Sequence, residues 1–275
     1  MNVRIASHEE GRPLLPEALS VRVLLWTGIS LTLLVAHAAI ILRFGIQGRG
    51  PFFSALMLLV EGVVCTLSCY LAMRRSGPVG RYFWRLITLS FVIWTAAQFL
   101  GTFYPPDFLG DMLFEFATLP FGIALFVAPD QESPQFDPLH WADLFQTLLL
   151  WVTLYVYFTP MGMNPTLYGP LWSRSVFCDG MLMLLFILRG SLTHSRTIKV
   201  LFLSTSVYCM VYAVVVGIGS LAPLPIPGDW FDLVWAFAVV VGLTVAAVWD
   251  GKEETPAESE PRPRHDVFQQ FFPLV

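Results

Sequence analysis

The chain is organised as a succession of apolar runs of nearly equal length, broken by short segments rich in Pro, Gly and charge. A run of about 20 apolar residues matches the thickness of a bilayer core when wound as a helix, so each run predicts a membrane span. Eight are predicted: Val21–Leu42, Phe52–Met73, Phe83–Tyr104, Asp111–Ala128, Trp141–Phe158, Trp172–Leu188, Val200–Leu221 and Trp230–Trp249. Trp230 and Trp249 stand about 28 Å apart along a helix, one hydrocarbon thickness with an aromatic anchor at each face. The polar segment 1–20 reads as a tail before the membrane, 251–266 as a solvated linker, and 267–275 as the start of a further span. Nine residues cannot cross a bilayer by themselves. Ala36-His37-Ala38 has the small-x-small form of a signal-peptidase site. The leader is long and acidic, however, and the apolar run continues past the cut, so an uncleaved span is expected.

Composition agrees with this pattern. Of 275 residues, 56% are hydrophobic and 13% charged, against about 25% charged in a soluble domain, and mean hydropathy is +0.65. The expected fold is therefore an all-α integral membrane bundle of about eight helices, without room for a soluble catalytic domain. The net charge of -4 gives no sign of nucleic-acid binding. Of the 16 Lys and Arg, all but Arg43, Arg49 and Arg174 fall on the side of the N-terminus when eight spans are threaded. By the positive-inside rule both termini are then cytoplasmic, in a bacterial inner membrane. Cys65, Cys69, Cys178 and Cys209 all lie inside apolar runs and read as small apolar residues; no metal site or cofactor is expected.

Candidate chemistry comes from ionisable side chains inside the spans, each of which carries an insertion penalty of roughly 2.5 to 3.5 kcal/mol at mid-bilayer. These are His37, Glu61, Asp111, Glu115, Asp179 and Asp232, with Gln98 and Arg174 as polar partners. At 1.5 Å per residue His37, Gln98 and Asp179 fall about 9 to 11 Å, Glu61 about 15 Å and Glu115 about 6 Å from the external surface. All belong to one outer layer, where a ligand or a proton could reach them. Asp111 and Glu115, spaced i, i+4, share a helix face, whereas Arg174 and Asp179 diverge and need partners elsewhere, Glu115 being the natural one for Arg174. Interhelical hydrogen bonding without function is the competing reading. No phosphate loop, His-Glu-x-x-His, Cys-x-x-Cys or Gly-x-Ser-x-Gly occurs.

The segments FVIWTAAQFLGTFY, LGDMLFEFATLPFGIALF, WADLFQTLLLWVTLYVYF, FCDGMLMLLFILRG and WFDLVWAFAVVVGLTVAAVWD resemble the multi-spanning N-terminal membrane region of bacterial signalling proteins of the histidine-kinase or GGDEF/EAL type. The likeness covers about Arg81 to Asp250 and marks Gln98, Asp111, Asp143, Asp179 and Asp232. It implies a sensory input module, with catalysis in a separate output domain and no catalytic residue here. Ending at FFPLV, the sequence departs from the pattern and reads as the front piece of a longer protein. Expected partners are the lipid bilayer and a small or lipophilic ligand, and a homodimer is compatible with the sequence. A small-molecule transporter or channel is the alternative from another class, and an intramembrane enzyme using Glu61, Asp111 and Glu115 the second.

Overall fold

A computed structural model describes residues 17–104, 108–127, 174–193, 196–221 and 228–250, with single positions at 145, 146, 149 and 153. The fifth predicted span apart from those four positions, the tail up to residue 16 and residues 251–275 lie outside the described residues. Among those described there is no strand, and the helices are α1 (Glu17–Phe44), α2 (Gly50–Arg75), α3 (Pro78–Phe103), α4 (Phe108–Phe116), α5 (Leu119–Ala124), α6 (Arg174–Leu192), α7 (Arg196–Leu221) and α8 (Phe231–Val248). Five of them, α1, α2, α3, α7 and α8, are long and apolar enough to cross a membrane. Their outward positions are apolar, as Leu24, Leu31 and Leu42 on α1 and Val63 and Leu67 on α2 are. The chain is a helical membrane protein.

Local sequence sets the helix ends. After α1, Gly45 and Gly48 both adopt φ 58°, and the Gly45 N–H closes on the Ile41 carbonyl at 2.8 Å. This left-handed backbone terminates the helix at little steric cost only for glycine. Pro51 and Pro78 stand in the first turns of α2 and α3, where a missing N–H leaves no gap in the ladder. The fourth predicted span departs from expectation. In place of one helix over 111–128, α4 and α5 are separated at Ala117–Thr118. Pro120 has no N–H for the Phe116 carbonyl and its ring crowds that carbonyl. The ladder tightens accordingly, with Thr118 N–H bonding the Glu115 carbonyl at 3.2 Å and the Thr118 hydroxyl donating to the same carbonyl at 2.7 Å.

Packing makes α2 the central element, set against α1, α3 and α8. Gly62 lets α3 approach: a Cβ there would stand 2.8 Å from the Trp94 ring and 2.9 Å from the Thr95 hydroxyl. Helices α2 and α8 run parallel and touch along their whole length. Ser54 meets Asp232 near their beginnings, the Ser68 hydroxyl donates to the Leu243 carbonyl at 3.1 Å in the middle, and Arg75 meets the end of α8. There its Nε donates to the Trp249 carbonyl at 2.8 Å and its Nη2 to the Ala246 carbonyl. Trp249 Nε1 answers by donating to the Ser76 hydroxyl at 2.6 Å. A cation on the last carbonyls of a helix satisfies them and complements the negative end of its dipole.

Candidate functional site

Three side chains with no exposed surface, His37 on α1 and Ser54 and Glu61 on α2, meet the buried Asp232 of α8. His37 Nδ1 lies 3.0 Å from Glu61 Oε1, and His37 Nε2 lies 2.8 Å from Ser54 Oγ. The Ser54 hydroxyl donates to Asp232 Oδ2 at 2.5 Å, which also accepts the Gly228 N–H at 2.7 Å. The result is a single hydrogen-bonded string, Glu61–His37–Ser54–Asp232, crossing from one helix to the next. Gly228 fits because of its φ of +89° and because a Cβ there would stand 2.6 Å from the Gly45 carbonyl. The turn before α8 is thus wedged against the turn after α1, and this wedge aims the Gly228 N–H at Asp232. Measured along α2 from Gly50, Ser54 lies about 6 Å and Glu61 about 16 Å in, at 1.5 Å per residue.

The string has a definite proton content, because each of its three links takes one hydrogen. In one filling Glu61 donates to Nδ1, Nε2–H donates to Ser54, and Ser54 donates to Asp232, which carries the charge. In a second Asp232 donates to Ser54, Ser54 to Nε2, and Nδ1–H to Glu61, which carries it instead; in a third both ring nitrogens donate, an imidazolium standing between two carboxylates. One proton hop at each link converts the first filling into the second, with every group restored to a normal valence. Low local polarity strengthens such bonds and makes each broken one expensive. Glu61 Oε2, at the deep end, is buried without a hydrogen-bond partner among the described residues.

Ser54, His37 and Glu61 have the connectivity of a Ser–His–carboxylate triad. They lack its access. A carboxylate oxygen of Asp232 occupies the other side of the Ser54 hydroxyl, the one nearby backbone donor, Gly228 N–H, is bonded to that same oxygen, and Ser54 exposes no surface. Neither a reacting carbonyl nor its oxyanion has a place beside the serine.

Of the residues expected in one layer, the structure brings His37, Glu61 and Asp232 together and sets Asp179 apart from them. Gln98 lies beside the string on α3 and donates to the Ala55 carbonyl at 3.4 Å. Asp179, on α6, lines a second and independent site, a cavity of ≈ 20 Å³ bounded by α3, the α4–α5 break, α6 and α7. Glu115 is near enough to this site to interact electrostatically with Asp179. The side chains of Asp111 and Arg174 lie outside the described residues, as does the expected Arg174–Glu115 pair. Ser54 escaped the sequence reading, since a serine in an apolar helix carries no charge to flag it. Its only signal is that it shares a face of α2 with Glu61. Cys65 and Cys69 are buried free thiols, and among the described residues no group of His, Cys, Asp and Glu is arranged to hold a metal.

No family model, curated protein or solved structure matches this chain.

Proposed function

We propose that this chain is the sensory input module of a bacterial signal-transduction protein of the inner membrane. Both termini are cytoplasmic, and the sensed variable is the proton occupancy of the Glu61–His37–Ser54–Asp232 string: loss of one of its three shared hydrogens leaves a link with none and breaks it. The observation that carries the reading is that α2 holds α8 at both ends, through Ser54–Asp232 at one and Arg75 with Ser76 at the other. A change of occupancy makes or breaks a bond joining α1, α2 and α8 near the Gly45 end. Because α8 is gripped again at its far end, and the chain continues from it into the polar segment 251–266, its displacement is the natural output. Population of one arrangement over the other needs only a differential interaction of a few kcal/mol. The parallel run of α2 and α8 supports an eight-span threading, in which the second and eighth spans point the same way. The site lies at the Gly45 end, which that threading makes external.

Infrared difference spectra across a pH jump, taken on the full chain in nanodiscs, test the reading. Carboxyl bands that vanish in E61Q and in D232N are expected; bands unaltered by either substitution would end it. Reading the coding frame beyond Val275 tests the other half, since a kinase or cyclic-di-GMP domain is expected there. A transporter is the second reading, favoured by the α4–α5 break beside a cavity, because discontinuous helices commonly flank transported ions.

A further inference from the structure

We propose that the cavity between α3, the α4–α5 break, α6 and α7 is a binding site for a small monovalent cation of the ammonium class. Asp179 is 4% exposed, and its Oδ2 and the Ser90 hydroxyl of α3 are both buried with no hydrogen-bond partner among the described residues. Both residues line the cavity, and among the described residues no Lys or Arg does. A desolvated carboxylate needs either a proton or a positive charge beside it. Glu115, the charged neighbour, adds a further negative charge.

The remaining walls select the kind of cation. Phe91, Trp94, Phe121 and Tyr208 line the space, and three of these rings form one cluster: Phe121 stacks on Tyr208 with centroids 5.4 Å apart, and Phe91 stands edge-on to Tyr208 at 5.4 Å. Aromatic faces attract a cation through their quadrupole, most strongly when it is desolvated. A hard alkali or alkaline-earth ion wants a full shell of oxygens, whereas the oxygen-bearing side chains here, Ser90, Thr118, Asp179, Tyr208 and Tyr212, alternate with aromatic rings; an N–H cation wants one or two acceptors and tolerates aromatic faces. With ≈ 20 Å³ the cavity takes an ion the size of a water, so ammonium enters and methylammonium is near the upper limit. This site shares no residue with the proton string and stands whether or not the input-module reading holds.

The experiment uses the full chain in nanodiscs, titrated with ammonium chloride against sodium, potassium and tetramethylammonium chloride at equal ionic strength and at a pH where ammonium predominates. Trp94 on the cavity wall gives a fluorescence readout, and the thermal midpoint gives a second that needs no variant. A saturable response and a raised midpoint with ammonium, absent with sodium and tetramethylammonium, are expected. D179N should weaken the response about tenfold or more, and S90A should weaken it less. Should D179N fail to fold, the wild-type salt series and S90A decide. Equal behaviour in ammonium and sodium, a potassium response as strong as the ammonium one, or unchanged affinity in D179N would overturn the assignment; the first would leave the cavity as a water site.

Discussion

Removing the Ser54 hydroxyl cuts the string in two and leaves both halves buried. In S54A, His37 Nε2 loses its 2.8 Å partner, and Asp232 Oδ2 keeps only the Gly228 N–H. Each lost interhelical bond is worth about 0.6 kcal/mol on average in a membrane, with a ceiling near 1.7; an orphaned buried group adds about 1 to 3 kcal/mol. These terms overlap, and the expected loss is about 1.5 to 3 kcal/mol. S68A provides the contrast, because Ser68 donates one bond to the Leu243 carbonyl, which a helix satisfies without it. Its expected loss is about 0.5 kcal/mol or less. The assay is reversible unfolding of the purified chain in mixed micelles, with a double-mutant cycle between S54A and H37F; coupling of about 1 kcal/mol is expected for groups in one network. An S54A variant no less stable than S68A, or a cycle that closes at zero, would refute the claim that the string is energetically connected.

Other consequences are local. G228A forces a Cβ into a backbone of φ +89° and against the Gly45 carbonyl, so the turn shifts and the variant loses about 1 to 3 kcal/mol by thermal unfolding. R75A frees the last carbonyls of α8: hydrogen exchange around 246–249 should accelerate and Trp249 emission shift to the red, with R75K restoring only part because lysine lacks the guanidinium fork. Reporter fusions after Leu171 and after Lys252 should report periplasm and cytoplasm respectively, and the reverse at either point would contradict the eight-span threading.

How much of this was readable in the sequence differs by feature. Span positions were, because apolar runs of bilayer length leave few other structures open: α2, α3, α7 and α8 fall within a few residues of their predicted ranges. His37, Glu61 and Asp232 were singled out by the penalty on polar groups inside a bilayer. That argument gives depth along each helix and says nothing about which helices are neighbours, so a single layer was expected where His37, Glu61 and Asp232 form one cluster and Asp179 lines a separate cavity. Asp179 faces the aromatic cavity because α6 packs on α7, a pairing no spacing within one helix reveals. Pro120 was visible as a proline inside an apolar run; that it splits the segment into α4 and α5 depends on the Thr118 hydroxyl taking the Glu115 carbonyl.

The central claim is that gain or loss of a proton by the string moves α8 relative to α1. Spin labels at Leu42 on α1 and Phe237 on α8, both exposed, report that separation by pulsed electron resonance on frozen nanodiscs prepared in mildly acidic and mildly alkaline buffer. The account predicts two distance distributions whose weights exchange with pH in the wild type and a single distribution in E61Q. One distribution at every pH in the wild type, or the same exchange in E61Q, would contradict it.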